Sequence, residues 1–284
     1  MPATPSSRPS ASPAPSASDP ATTAVRIVFD LGPWVSPYQH GWQAAYDALV
    51  ADVVAAGRRP YGVLSEGLAP TPWVDALTGG LRAARADEAR DWIDAWVRHA
   101  ADVVARYGDR VAVFEALPGM NAPVAASGEP RMHAGGGAYL LARMRAAWPA
   151  PDIGTAPRLV GGALVGGAGG RAAAIDYVRR VHRAGRTAYG WPDGMGAVDG
   201  WALHGDVSVD PAGDEPRALA GALGRRGGAA PLVYVSGFRA AGADARAPNA
   251  RFPGAWFNRV ARDPRIALAA GERLADGPVG PADA

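Results

Sequence analysis

The chain has 284 residues, 48% of them apolar, enough for one large α/β domain or two small ones, and one is expected. All 29 basic residues are arginine against 27 acids, so the formal charge is +2 and the pI of about 9.1 comes from a nearly balanced count. The arginines are scattered beside acids along helices, as in RAARADEARDW (82–92), which makes a solvated face and not the clustered basic stripe of a nucleic-acid binder. The absence of cysteine excludes disulfides, thiolate zinc sites and a cysteine nucleophile, and leaves the compartment open.

Residues 1–24 are rich in Pro, Ser and Ala with no apolar core, and read as a disordered linker. They lack the run of roughly 7–15 apolar residues of a signal peptide and the run of about 20 of a membrane helix. No membrane span is expected, and localisation stays open: exported if the start codon is placed too late and hides a signal, otherwise cytoplasmic. From there strands and helices alternate. AVRIVFDLGPW (24–34) is an apolar strand closed by Asp30, Gly32 and Pro33, and Trp42, Ala45, Tyr46, Leu49, Val50, Val53 and Val54 then recur at helical spacing up to Gly57. RRPYGVLSEG (58–67) is a second strand with Glu66 at its tip. A long amphipathic helix buried through Ala89, Trp92, Ile93, Trp96, Val97, Ala100, Val103 and Val104 follows, ending at Gly108.

RVAVFEALPGMNAP (110–123) then carries Glu115 inside an apolar β-branched run that breaks into Pro118, Gly119 and Asn121, the manner in which a buried parallel strand ends at a pocket. Helices at 136–148, 175–185, 215–224 and 254–263 alternate with strands at 158–167, 198–206, 231–238 and 265–270, giving seven strands. This rhythm implies right-handed βαβ units and a parallel sheet. A doubly wound sheet should show a glycine-rich phosphate turn after its first strand, yet DLGPWVSP has prolines where backbone donors are needed. A (β/α)8 barrel predicts polar and aromatic residues at many strand tips, as with Asp30 and Trp34, Glu66, Asn121, His204 and Asp206, and Ser236 and Phe238. The expected fold is therefore an α/β TIM-type barrel over 25–276, with a flexible tail at 277–284.

FEALPGMN (114–121) resembles the WEVWNEPN-type fourth-strand signature of the large (β/α)8 glycoside hydrolase clan that uses two glutamates, xylosidase-like and endoglycanase-like members above all. VRIVFDLGPW is similar to the second strand of that clan, and WQAAYDALVADVVAAGRRPYGVL to the following helix and third strand. VDGWALHGD is similar to a DGWALHPY-type sixth strand and PLVYVSGF to a PLYVTEFG-type seventh. The likeness covers about residues 25–275 and implies that the first βα unit is missing or replaced. A seven-stranded barrel would have two unpaired edges, to be filled by the linker, by a partner or not at all.

In the clan, a fourth-strand glutamate acts as acid/base and a seventh-strand glutamate as nucleophile, roughly 5 Å apart. Carried over by position, these fall on Gly119 and Gly237, so the resemblance implies a catalytically inactive homologue with a carbohydrate-binding cleft. The alternative is an active O-glycosyl hydrolase with relocated carboxylates, for which Glu66, Glu115, Asp206 and Asp30 are candidates. Only Glu66 and Glu115 of the six glutamates lie near strand tips, and Glu115 reads as a hydrogen-bonded interior carboxylate. The expected carbohydrate-binding set is Asp30, Trp34, Asn121, Trp201, His204 and Tyr234; Trp73 and Trp191 near strand ends or loops are further stacking candidates. His204 reads equally well as a pocket ligand or as a histidine held behind one. His204 and Asp206 do not make a metal site, no HxH or HExxH occurs, and no cofactor is expected. Ser236 in SGF is not a GxSxG elbow. Sugar, linkage and oligomeric state stay open.

Overall fold

The computed structural model describes residues 24–30, 42–81, 84–148, 156–165, 170–192, 196–206, 210, 213–224, 232–239, 260, 262–268 and 272–273. Residues 1–23 of the linker, Trp34, the tail and all of the helix expected at 254–263 except Val260, Arg262 and Asp263 lie outside them. Strands β1 (Ala24–Phe29), β2 (Arg59–Leu64), β3 (Val113–Ala116), β4 (Arg158–Val165), β5 (Gly200–Asp206), β6 (Val233–Arg239), β7 (Ile266–Leu268) and β8 (Glu272–Arg273) form one sheet. Its order is β7-β6-β5-β4-β3-β2-β1-β8, and every pair is parallel. Sequential order without reversal excludes a doubly wound sheet, whose order turns back at a switch point. With its intervening helices, the sheet is an incomplete TIM-type α/β barrel.

The edge problem has a specific solution. Three residues separate Leu268, paired through β7 to β6, from Glu272, paired through β8 to β1. Extended chain covers at most about 14 Å over those four steps, whereas the outer strands of a flat eight-stranded sheet would lie roughly 33 Å apart. The sheet must therefore curl until its two ends meet, with one terminal stretch laid along both edges.

Two apolar layers follow from strand alternation. Outward residues such as Val25, Ile27, Phe29, Phe114, Leu164, Trp201 and Leu203 pack against the helices in the larger cluster. Inward residues Tyr61, Val63, Val160, Ala163, Ala202 and Tyr234 line the lumen. Helices α1 (Trp42–Ala55), α2 (Ala76–Gly79), α3 (Ala86–Tyr107), α4 (Ala134–Ala147), α5 (Gly170–Tyr189) and α6 (Asp214–Ala222) connect the strands. Helix α3 buries the apolar stripe read from sequence and adds Tyr107, while Arg85–Glu88 and Arg90–Asp87 pairs occupy its solvated side.

Tyr46 on α1 ties helix to strand. The Asp30 N–H donates to its hydroxyl at 2.9 Å, and the hydroxyl donates to the Val28 carbonyl at 3.0 Å. Burial, with the Asp30 charge adding to it, pushes its pKa up to about 12. Since the neutral form is the one that folds, this stabilisation is complete below the ordinary tyrosine pKa near 10 and is lost as pH rises from there towards 12. Replacing Tyr46 with Phe should cost about 1–2 kcal/mol in urea unfolding at pH 7, because the Asp30 N–H loses its acceptor. The same variant should show a flatter loss of stability between pH 9 and 11 than the parent chain.

Candidate functional site

The tip of β3 is fastened on both sides. Leu117 N–H donates to Leu64 of β2 at 2.9 Å, and Gly119 N–H donates to Ala163 of β4 at 2.8 Å. Asn121 mimics a strand partner: its Nδ2 donates to the Val165 carbonyl at 3.0 Å and its Oδ1 accepts from Val165 N–H at 2.8 Å. Leu117 has φ of 49°, a left-handed conformation that costs a non-glycine residue about 1–2 kcal/mol. Strain of this kind persists only where the surroundings over-determine it, here through three backbone clamps. Gly119, with φ of 76°, turns the chain in open space, since a Cβ there would meet only Ala122 at 3.9 Å.

Two bulges shape the facing strands. Register shifts between Gly161 and Leu164 in β4, and β6 accommodates Ser236 as an extra residue opposite the step from Leu203 to His204. The β4 bulge brings Gly162 so close to β3 that a Cβ would lie 2.0 Å from the Leu117 carbonyl oxygen. Beyond both shifts, Val165, His204 and Gly237 share one row across β4, β5 and β6. The Asn121 clamp on Val165 joins β3 to the same row. Thus Asn121, His204, Gly119 and Gly237 are brought to the C-terminal end together.

Glu115 lies lower, fully buried. Its Oε2 accepts from Tyr61 Oη at 3.1 Å and its Oε1 from Ala163 N–H at 3.1 Å. Burial and the Glu115 charge hold the Tyr61 phenol well above its ordinary pKa. The other candidate acids are placed differently. Asp30 ends β1 with its carboxyl against Gly67, where a Cβ would fall 1.8 Å from Oδ1. Glu66 opens a short 3-10 helix, Glu66–Leu68, and is half exposed in an ion pair with Arg131. Asp206 ends β5 opposite Arg239.

Several expected sugar-binding residues sit elsewhere. Trp201 is fully buried on the outward face of β5, where its Nε1 donates to His182 Nε2 of α5 at 3.2 Å; alternation points it away from the lumen. Asn121 spends its carbonyl on the backbone of β4. Tyr234 faces the lumen below the mouth, only 3% exposed, and its hydroxyl accepts from Arg158 Nη1 at 2.8 Å. Of the further stacking candidates, Trp73 has one face covered by the Arg131 guanidinium, 4.3 Å from the ring centroid, and Trp191 is buried near α5. His204 remains half-buried at the mouth. Sequence reasoning passed over the inward arginines Arg26 and Arg158; the signal was alternation in AVRIVF, which puts Arg26 on the same face as Val28. Among the described residues, no group of three or more His, Asp or Glu is arranged to hold a metal ion, and no helix is long and apolar enough to cross a membrane.

No protein-family model and no curated protein sequence matches the chain. Among solved structures it is similar to a psychrophilic glycoside hydrolase family 10 endo-beta-1,4-xylanase, at 13% identity and TM-score 0.44, covering 75% of this chain and 72% of that one. A fungal beta-1,4-galactanase is similar at 10% identity and TM-score 0.46, covering 76% and 61%. A family 39 glycoside hydrolase from Bacteroides cellulosilyticus WH2 is similar at 16% identity and TM-score 0.38, covering 66% of this chain but only 33% of the other.

The geometry separates a structural role for Glu115 from a chemical one. Glu115→Ala should cost about 2–4 kcal/mol in denaturant unfolding, since it strands a buried N–H and a buried phenol. Glu115→Gln should stay within about 1 kcal/mol, because its carbonyl can still accept from Ala163 and the Tyr61 hydroxyl can turn to accept. Gly162→Ala should destabilise by about 1–3 kcal/mol or more in the same measurement, as the obstructing atoms are backbone and cannot swing aside.

Proposed function

We propose that this chain is a glycoside-hydrolase-like barrel that binds carbohydrate at its C-terminal mouth and does not hydrolyse it. The observation that carries the reading is the state of Glu115: the one glutamate in the central strands is sealed from solvent, with both oxygens occupied by Tyr61 and Ala163. A general acid must reach the glycosidic oxygen, and a nucleophile must reach the anomeric carbon from the opposite side. Glu115 reaches neither from inside the lumen.

The resemblance of the β3, β5 and β6 segments to the two-glutamate clan supports the same reading. The positions that should carry the acid/base and the nucleophile are Gly119 and Gly237, and a glycine has no group to exchange a proton or form a glycosyl ester. Glu66 is neutralised by Arg131. What the mouth offers instead is polar: Asp30 and half-buried His204, at the end of the barrel where this architecture binds its ligands. Neutral sugars are recognised by such side chains through hydroxyl hydrogen bonds.

The test pairs a glycan array with a panel of aryl glycosides. Binding to a defined oligosaccharide, weakened about tenfold by His204→Ala, with no aryl release above background, is the expected result. Turnover that disappears in Glu66→Gln or Asp206→Asn would instead establish an active enzyme with relocated carboxylates, and neither binding nor turnover would leave the barrel without a carbohydrate role.

A further inference from the structure

The opposite end of the lumen holds a concentration of positive charge that the mouth does not use. Arg26 stands on the inward row of β1 between Ala24 and Val28, directly opposite Tyr61 in register. Its Nε is buried and has no hydrogen-bond partner. Arg158 opens β4 in register with Val113, and its Nη1 donates to the Tyr234 hydroxyl at 2.8 Å. The rings of Tyr61 on β2 and Tyr234 on β6 lie 6.4 Å apart across the lumen, so the two phenols link the Arg26 side of the wall to Arg158.

The acids nearest this group are engaged elsewhere. Glu115 faces the C-terminal side of Tyr61 and accepts from Tyr61 and Ala163. Asp199 pairs with Arg145 at 2.9 Å and accepts from Leu159 N–H at 2.9 Å. Among the described residues, no carboxylate lies within salt-bridge distance of Arg26 or Arg158. An arginine is charged at every accessible pH, and a partly buried one without a counter-ion is costly. Its planar fork of donors matches a tetrahedral oxyanion. Tyr61 and Tyr234 would stay protonated beside an anion, because burial already raises both phenols.

We propose that the N-terminal half of the lumen binds a small oxyanion of the phosphate class between Arg26 and Arg158. This site lies at the other end of the barrel from the carbohydrate mouth and does not depend on it.

The experiment titrates the full chain with inorganic phosphate against chloride at matched ionic strength and follows thermal unfolding and calorimetric binding. Phosphate at a hundredfold excess over Kd should raise the folding equilibrium constant about 100-fold, with a matching rise in Tm. Arg26→Met and Arg158→Met should each abolish the phosphate-specific shift, while Arg90→Met on the solvated side of α3 should leave it intact. If either lumen variant fails to fold, Arg158→Lys, which keeps charge but loses the fork, should still weaken binding at least tenfold. A second arm with glycerol 3-phosphate separates sources: equal affinity assigns the free ion, and tighter binding assigns a phosphorylated ligand. No phosphate-specific response in the parent chain, or an unchanged Kd in Arg158→Lys, overturns the proposal.

Discussion

The carboxylate of Glu115 holds the central strands of the barrel in one arrangement. It projects from β3, accepts from the phenol of β2 and accepts from the backbone of β4 at the bulge. A bulge removes a residue from the regular ladder, and a buried N–H without an acceptor costs about 1–3 kcal/mol. Glu115 supplies that acceptor for Ala163, while the Ala163 carbonyl takes Gly119 N–H. Both polar groups of the bulged residue are therefore satisfied by β3, one through a side chain and one through the backbone of its tip. The left-handed Leu117 and the close approach at Gly162 are consequences of the same fit.

A second constraint acts around the circumference. Parallel strands are stable only when both faces are covered and edges are paired or hidden. Here the covering of the edges falls to β7 and β8, two short pieces separated by three residues, one on each end of the sheet. Ring closure by a single terminal stretch allows seven strand positions to make a barrel without the eighth βα unit. It also explains why an arginine can occupy the inward row of β1. The lumen near β1 and β8 is bounded by a two-residue strand, so side chains there need less apolar character than those walled in by β2 to β6.

Much of this was legible in the sequence, and the part that was not has a common cause. Alternating strands and helices, the buried stripe of α3 and the interior placement of Glu115 all follow from local periodicity, which a linear chain displays directly. Helix α5 runs from Gly170 to Tyr189, well beyond the expected 175–185, because its ends are rich in Ala, Gly and Arg and lack an apolar period. The errors among the binding residues came from facing. Trp201 and His204 share a strand and a polar-aromatic motif, yet three positions separate them and alternation sends them to opposite sides of the sheet. Tyr234 faces inward as expected of a ligand-binding residue, but it lies two residues before the bulged Ser236, under the mouth, with Arg158 as its partner. Trp73 was betrayed by Arg131, a contact between distant segments that no local pattern reveals.

The two ends of the lumen differ in the kind of charge they can stabilise. At the C-terminal end, strand carbonyls terminate and the side chains are acids, amides and an imidazole, a setting that suits neutral hydroxyls and that needs paired carboxylates before it can do hydrolysis. At the N-terminal end, Arg26 and Arg158 face the phenols of Tyr61 and Tyr234 and, among the described residues, form no ion pair with an acid. Glu115 lies between these regions, its hydrogen bonds turned towards Tyr61 on one side and the bulge on the other. A carboxylate at the tip would serve a reaction, whereas Glu115 cross-links β2, β3 and β4, and its removal would be felt as a loss of stability before any change at either site.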